Sequence, residues 1–364
     1  MGSGRRRDRG GGVDGSQGAQ EHAEHDAHDD RDQAPDEVHR RLRLRSLRSW
    51  VPSAVERRRL SGSPVATSPG FPPGCRTLPG MNAKRALAGT LALGAAAAAA
   101  TPHVVRRAFE PPRREAPHRP ADLGLVTEDC WLTLPSGLRL HGWFVPAATV
   151  PAPAVVVLHG WGGSKAHMLP VAPGLSEAGF HVLLLDARNH GESDADRFTS
   201  MPRFAEDLEA AVGWLRSRRD VTAVGVVGHS VGAAASIYAA ARGVPVDAIV
   251  AVSGFAHPRE LMERNFRMPR PVVAPLLWLI ERMIGHDYDE IAPRHRIVDV
   301  DVPVLFVHGA DDEVVPVEDS LELHARHPDS RLIVVEDAGH SDLDRFLPVF
   351  PEAVRFLVEH LGRA

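Results

Sequence analysis

The stretch AVGVVGHSVGAAASIYAAA (223–241) decides the fold of this chain. Its first residues form a continuous apolar run, which is typical of a strand buried on both faces of a parallel sheet. Its alanine-rich second half predicts a helix. Between the two lies Gly-His-Ser-Val-Gly, a Gly-x-Ser-x-Gly pattern whose serine occupies a strained strand-to-helix turn with an exposed hydroxyl. The sequence therefore predicts that Ser230 is a catalytic nucleophile.

Apolar runs of the same kind recur along the chain and predict further strands with helical patterns between them. A helix is predicted over 201–218, where Phe204 and Leu208 share one apolar face. The predicted strands are 128–134, 138–145, 154–160, 181–188, 223–230, 248–254, 302–309 and 331–339, of which the first two form a hairpin. This alternation predicts an α/β fold with a mostly parallel, doubly wound sheet of about eight strands.

Residues 255–301 interrupt the alternation, because they are far more numerous than a crossover between parallel strands requires. They include PLLWLIERMIG (275–285), which is apolar around most of a helical circumference. One interpretation is a long helix packed into the core. The other, which the size of the insertion favours, is a helical cap over a site with an apolar inner wall.

A serine hydroxyl needs a base to act as a nucleophile at neutral pH. His340 lies in the loop after the last predicted strand and is the expected base. A carboxylate that orients this histidine is expected at the end of the preceding strand. Three carboxylates follow that strand, namely Asp311, Asp312 and Glu313. The chain order of serine, acid and histidine agrees with the strand-turn-helix context of Ser230.

Together these motifs resemble the α/β-hydrolase family. Many members carry Gly-x-x-Asp-x-x-Val-Pro around the catalytic acid. Gly309, Asp312 and the Val-Pro pair at 315–316 match that spacing. The resemblance therefore implies that Asp312, rather than its neighbour Asp311, is the acid of a Ser-His-Asp triad.

The resemblance also implies an oxyanion hole made of two backbone N–H groups. One belongs to Val231, directly after the nucleophile. The other belongs to Trp161, which follows a His-Gly pair after the first core strand, where similar enzymes supply the second donor. In family members, the residue that corresponds to His229 points into the fold.

The stretch DARNHGES (186–193) resembles the segment that ends the next strand in many relatives. Asp186 and Arg188 are predicted to form an ion pair that braces this loop. Asn189 occupies a position where relatives often have glycine, so its φ is expected to be positive.

The resemblance covers residues 122–364 and implies a serine hydrolase that cleaves a carboxylic ester or thioester through an acyl-enzyme, without a metal or organic cofactor. A small acyl ester or thioester is the expected substrate. A serine nucleophile argues against relatives that use aspartate, the haloalkane dehalogenases and epoxide hydrolases. An acyltransferase, a perhydrolase or a serine peptidase would use the same triad, although the propeller repeats typical of prolyl-oligopeptidase-like peptidases are not found. A non-catalytic binding protein with this fold is the alternative outside the enzymes.

The composition excludes some other classes of function. The formal net charge of −5 gives no overall basic excess, so no nucleic-acid partner is expected. Two cysteines, Cys75 and Cys130, cannot form a four-cysteine zinc site and are interpreted as free thiols. The sequence does not specify an oligomeric state.

The N-terminal part of the chain differs from the folded part. Residues 1–80 have no persistent apolar period and are predicted to be disordered, or to be absent from the protein if translation begins at Met81. Residues 81–105 are typical of a signal segment, with Lys84 and Arg85 before an uncharged, alanine-rich stretch.

Three interpretations of that stretch stay open: a cleaved export signal, an uncleaved membrane anchor that associates through residues 86–105, or a plain alanine-rich helix. The protein is accordingly expected to be exported or membrane-associated if the segment acts as a signal or anchor, and cytoplasmic otherwise. Residues 106–121 are rich in proline and arginine, and they are predicted to be a linker without a helix.

Overall fold

The computed structural model describes residues 103–107, 109–113, 118–266 and 268–362. The predictions for the N-terminal extension, and for the signal or anchor segment up to residue 102, fall outside these ranges. Among the described residues, no helix combines the length and the hydropathy needed to cross a bilayer.

The centre of the described chain is a sheet of eight strands. Their bounds are β1 Glu128–Thr133, β2 Arg139–Val145, β3 Ala152–Leu158, β4 His181–Leu185, β5 Val221–His229, β6 Ala248–Val252, β7 Val304–Gly309 and β8 Arg331–Val335. Their order across the sheet is β1-β2-β4-β3-β5-β6-β7-β8. The predicted hairpin is the antiparallel pair β1–β2, β2 is also antiparallel to β4, and all other neighbours are parallel. The predicted mostly parallel sheet is thereby confirmed.

Helices cover both faces of this sheet. The longer ones are α1 Ala172–Glu177, α2 Met201–Arg216, α3 Val231–Ala241, α4 Pro258–Phe266, α5 Arg270–Ile284, α6 Val317–Arg326 and α7 Phe350–Leu361. Short helical turns lie at Tyr288–Ile291, Pro293–Arg296 and Leu343–Phe346, and 3-10 turns at Pro120–Leu123, Lys165–His167, Leu169–Val171 and Ile297–Asp299.

The central strands are apolar throughout because both of their faces are covered. All residues of β3 and β4 are buried. Val156 and its alternate neighbours pack in one core cluster with Phe204 of α2, whereas Val155 packs in a second cluster with Phe356 of α7. Side chains alternate between faces along a strand, so this sequence fills two separate cores.

Several predicted strands extend too far at their C-terminal ends. The run 181–188 is a strand only to Leu185, and the run 331–339 only to Val335. The residues beyond these ends leave the sheet and form the loops at its carboxyl edge. In α/β sheets this is the edge where ligands bind.

The prediction that the proline-rich linker holds no helix is wrong at two places. Residues 103–107 form a helical turn that ends inside the predicted linker, and Pro120–Leu123 form a 3-10 turn that begins there. The first lies before the proline pair at 111–112, and the second begins at a proline. Proline is tolerated at the first position of a helix, because the N–H it lacks would have no partner there.

The insertion between β6 and β7 contains helices, as predicted. Residues 275–285 belong to α5, which buries Val273, Leu277 and Ile280 on one side. Its other side is still apolar in part, since Val272 and Trp278 are more than half exposed. The helix is therefore packed along one face only, in contrast to a helix buried throughout the core.

Candidate active site

Ser230 lies at the sharp turn between β5 and α3. Its φ of 55° and ψ of −118° are sparsely populated for a non-glycine residue, which costs on the order of 1–3 kcal/mol. A Cβ atom on Gly228 would lie 2.6 Å from backbone atoms of Gly232, and one on Gly232 would lie 2.6 Å from the Leu158 carbonyl oxygen. Because neither position has room for a side chain, the two glycines allow the turn that raises Ser230 above the sheet.

The three residues proposed from the sequence as a triad form one hydrogen-bonded chain. His340 Nε2 lies 3.0 Å from Ser230 Oγ, and His340 Nδ1 lies 2.7 Å from Asp312 Oδ2. The two contacts join positions that are 110 and 28 residues apart in the sequence. In this arrangement the serine hydroxyl donates to Nε2 while Nδ1–H donates to the carboxylate.

Asp312 is held by hydrogen bonds on both oxygens. Its Oδ1 accepts the backbone N–H groups of Val314 at 2.9 Å and Val315 at 2.8 Å. Burial alone would raise the pKa of the Asp312 carboxyl. Hydrogen bonds from His308 and His340 outweigh it and hold that pKa well below its usual range. Asp312 therefore stays ionised at neutral pH, whereas Asp311 beside it is exposed.

Two further histidines make hydrogen bonds that hold Asp312 and His340 in position. His308 is fully buried; its Nε2–H donates to the Val315 carbonyl at 2.9 Å and lies 3.4 Å from Asp312 Oδ2. His229 Nε2–H donates to the carbonyl oxygen of His340 at 2.8 Å, so it fixes the backbone of the base. This role of His308 was not predicted from the sequence, although a polar histidine near the end of an otherwise apolar strand is a signal for one.

The loop after β3 passes directly beside the nucleophile. A Cβ atom on Gly160 would lie 3.1 Å from Ser230 Cβ, so a larger residue there would collide with the serine. Trp161 is the next residue in this loop, and Val231 is the first residue of α3. Both predicted N–H donors thus belong to segments that adjoin Ser230.

Two buried histidines cross-link this loop to the loop after β4. His159 Nε2 accepts the N–H of Ala187 at 3.1 Å, and His190 Nε2 accepts the N–H of Gly162 at 3.1 Å. Their Nδ1–H groups donate to the carbonyls of Gly160 and Arg188 at 2.7 and 2.9 Å. Since each ring must offer one acceptor nitrogen, both histidines have to be neutral.

The pKa values of these two histidines agree with that requirement. Burial, reinforced by repulsion from His159, lowers the pKa of His190 to about 3. Burial also lowers the pKa of His159. An imidazolium at either position would place two N–H groups against each other and break a bond that holds the loop.

The predicted ion pair between Asp186 and Arg188 is wrong, because each residue has a different partner. Asp186 accepts hydrogen bonds from Lys165 through Nζ at 2.6 Å and through the backbone N–H at 2.7 Å. Arg188 donates from Nε to Asp207 of α2 at 2.7 Å. All four side chains are nearly inaccessible to solvent. The expectation for Asn189 is confirmed, since its φ is 67°.

One group of described residues brings metal-ligating atoms within 4.8 Å of one another: His257, Asp289 and His295. His257 Nδ1 accepts the N–H of Arg259 at 3.2 Å, so its Nε2 carries a proton and donates it to Asp289 Oδ1 at 2.8 Å. His295 Nδ1–H donates to the carbonyl of Asp289 at 2.9 Å. These hydrogen bonds explain why the three residues lie together: they connect the start of α4 to the helical turns that contain Asp289 and His295.

The geometry around Ser230 can support a proton transfer. A hydroxyl hydrogen-bonded to a neutral imidazole, which is oriented by an ionised carboxylate, is the arrangement that activates an oxygen nucleophile. Backbone N–H groups at the N-terminus of α3 and in the adjacent glycine loop can donate hydrogen bonds to a substrate oxygen on which negative charge develops.

Known proteins share this fold and much of this sequence. Residues 153–274 match the family model of the alpha/beta hydrolase fold. An uncharacterized Mycobacterium tuberculosis protein, Rv2307c, is 31% identical over 212 residues, which are 57% of this chain and 69% of that protein. The Escherichia coli protein YfhR, also uncharacterized, is 29% identical over 249 residues, 65% of this chain and 82% of its own length.

Among solved structures, the esterase Pf2001 of Pyrococcus furiosus superposes with a TM-score of 0.59 at 26% identity, over 70% of this chain and 98% of its own. Fold, site geometry and sequence similarity therefore agree, and the chain belongs to the α/β-hydrolase family.

Proposed function

We propose that this protein is a serine hydrolase that cleaves a carboxylic ester or thioester through an acyl-enzyme intermediate. The observation that carries the proposal is the hydrogen-bonded chain from Ser230 Oγ through His340 to Asp312. Membership of a hydrolase family and the likeness to the P. furiosus esterase support ester chemistry in particular.

The mechanism follows from the positions of these groups. Ser230 Oγ attacks the carbonyl carbon while its proton moves to His340 Nε2. The negative charge that develops on the carbonyl oxygen is stabilised by the N–H groups of Val231 and Trp161. His340 then gives the proton to the departing alcohol or thiol, and the acyl group remains on the serine.

Hydrolysis of the acyl-enzyme repeats these steps with water. The water oxygen bonds to the acyl carbon while His340 Nε2 takes a proton from that water. His340 then gives this proton to Ser230 Oγ as the carbon–oxygen bond to the serine breaks and the carboxylic acid is released. Asp312 remains ionised throughout and stabilises the imidazolium form of His340. Each turnover therefore consumes one ester and one water and returns the serine to its starting state.

Labelling of the full chain with a fluorophosphonate, followed by peptide mass mapping, tests this proposal. We expect a single label on Ser230 and its loss in His340→Ala, because only an activated serine attacks the probe. Ser230→Ala should lower hydrolysis of p-nitrophenyl butyrate by a factor on the order of 10⁴ or more.

Ser341→Ala is the matched control, because Ser341 is exposed and follows His340 in the sequence but is not one of the three hydrogen-bonded residues Ser230, His340 and Asp312. It should be labelled and active like the wild type. A folded wild-type protein that takes no label, or takes it at a serine other than Ser230, would overturn the proposal. Label that persists in His340→Ala would remove the role given to the base.

A further inference from the structure

The segment before the hydrolase fold is fastened to the site. Phe109 packs its ring against Trp161 at a centroid distance of 6.0 Å and an interplanar angle of 89°. It also contacts Phe266 at 6.4 Å and 71°. Arg113 donates from its guanidinium to the carbonyl oxygens of Gly191 and Ser193 at 3.2 and 2.9 Å. We call residues 103–107 and 109–113 the strap.

The strap's ring contacts lie at the loop that faces the nucleophile. Trp161 directly follows Gly160, which is the residue whose Cβ would collide with Ser230. Phe266 is the last residue of α4, in the insertion between β6 and β7. We call the loop after β3, residues 159–163, the oxyanion loop, and Phe109 joins it to the insertion. Both contacts are edge-to-face ring pairs, so Phe109 lies between Trp161 and Phe266 and links the three rings into one apolar cluster.

The other end of the strap is attached to the same supporting structure. Gly191 and Ser193 belong to the loop after β4, and His190 in that loop holds Gly162 of the oxyanion loop. Val105 is buried in the core cluster on this side of the sheet. A buried valine, an aromatic contact and two hydrogen bonds thus fix the strap at three places on one side of the site.

We propose that the rings of Phe109, Trp161 and Phe266 form the wall that binds the acyl chain of the substrate, and that Phe109 thereby sets the preference for acyl length. The inference rests on the proposed ester hydrolysis and adds the substrate class, an ester with an aliphatic acyl chain of several methylenes. Each methylene that contacts such a wall removes apolar surface from water, and an acetyl group has none to place there.

The test compares p-nitrophenyl acetate, butyrate and octanoate with the full chain and its variants. Phe109→Ala should lower kcat/KM for octanoate at least tenfold and leave that for acetate within about twofold. Phe109→Leu, which keeps an apolar side chain, should recover most of the loss. Val104→Ala is the matched control in the same segment. Val104 is 63% exposed, so its substitution should leave kcat/KM for both octanoate and acetate unchanged.

Arg113→Gln is a second test variant, in which all three aromatic residues are retained but the strap that carries Phe109 is held less firmly. It removes the hydrogen bonds to Gly191 and Ser193, and should lower the octanoate-to-acetate ratio in the same direction as Phe109→Ala. Thermal unfolding followed by circular dichroism identifies a variant that fails to fold, and Arg113→Gln then decides the question.

The outcomes separate this inference from the function on which it rests. A wild type that hydrolyses none of the esters, with Ser230 unlabelled, overturns both. A wild type that hydrolyses them, while folded Phe109→Ala and Arg113→Gln keep its chain-length profile, overturns the acyl wall alone. An equal loss for acetate and octanoate also overturns it, because it would mean that Phe109 only supports the oxyanion loop.

Discussion

The two sides of the site are held by different kinds of interaction. On the nucleophile side, at the ends of β5, β7 and β8, Ser230, His340 and Asp312 form a chain of hydrogen bonds in which a proton can move. On the oxyanion-loop side, at the ends of β3 and β4, buried ion pairs and neutral histidines fix the backbone.

This difference separates groups that react from groups that only hold position. A proton-transfer chain needs a carboxylate that stays ionised and a base that can change its charge. The oxyanion loop must keep its N–H groups in place, and charge changes there would disturb it. Substitutions on the nucleophile side should therefore affect activity more than stability, and those on the oxyanion-loop side should affect stability first.

The largest loss of activity on the nucleophile side is expected from Asp312→Asn. An amide keeps the size of the carboxylate but cannot stabilise the imidazolium of His340, and it favours the wrong tautomer. We expect kcat for p-nitrophenyl butyrate to fall by a factor on the order of 10³ to 10⁴. The melting temperature should change by only a few degrees, so the loss of kcat cannot be explained by unfolding.

Asp311→Asn is the control for Asp312→Asn, because it changes the neighbouring carboxylate, which is exposed. It should keep wild-type activity. If Asp311→Asn lost activity and Asp312→Asn kept it, the acid would be the other aspartate. Steady-state kinetics of both proteins at pH 7 decide between these outcomes.

An effect of the opposite type is expected from Asp186→Ala on the oxyanion-loop side. The substitution leaves the Lys165 ammonium, whose side chain is 2% exposed, with only the half-exposed Glu192 at 3.1 Å as a partner. Removing one member of a buried pair costs about 3–5 kcal/mol, and the remaining contact with Glu192 places the expected loss at the lower end of that range. The free energy of unfolding, measured by urea denaturation, should fall by that amount.

The matched control for the buried pair is Glu359→Ala. Glu359 pairs with Arg331 at 2.7 Å, but both side chains are about half exposed. Surface pairs of this kind contribute little to stability, so no measurable change is expected. Equal effects of Asp186→Ala and Glu359→Ala would contradict the distinction between the two sides of the site.

The triad could be predicted from sequence because short-range sterics determine its local geometry. The glycines at 228 and 232 are required by backbone atoms that they contact, and this leaves a recognisable pattern around Ser230. Gly309 is similar, since a Cβ there would collide with the carbonyl of Ala338, near His340. The contacting atoms can be distant in the sequence, as Leu158 is from Gly232, but the requirement for a glycine is visible at the glycine position itself.

The ion pairs and the strap could not be predicted in the same way. Arg188 pairs with three other carboxylates, among them Asp207 and Glu206 of α2, and this choice depends on how α2 approaches the loop after β4. Phe109 meets rings that are more than fifty residues away in the sequence. Such contacts depend on the packed structure, because many pairings are compatible with the same local pattern.

The smallest expected effect is a pH dependence of stability that originates on the oxyanion-loop side. The pKa of His190 is lowered from 6.5 to about 3 in the folded protein, so between these values the unfolded chain binds more protons at this residue. Its contribution is fully present above pH 6.5 and is lost as the pH falls. By pH 5 the loss amounts to about 2 kcal/mol relative to pH 7. In His190→Gln the amide oxygen can still accept the N–H of Gly162. Between pH 7 and pH 5 the free energy of unfolding of this variant should therefore fall by about 2 kcal/mol less than that of the wild type.

The control is His118→Gln, which removes an exposed histidine and should retain the wild-type pH dependence. Urea denaturation at both pH values measures the difference, and an identical fall in the wild type and His190→Gln would mean that the neutral histidine is not what holds the oxyanion loop.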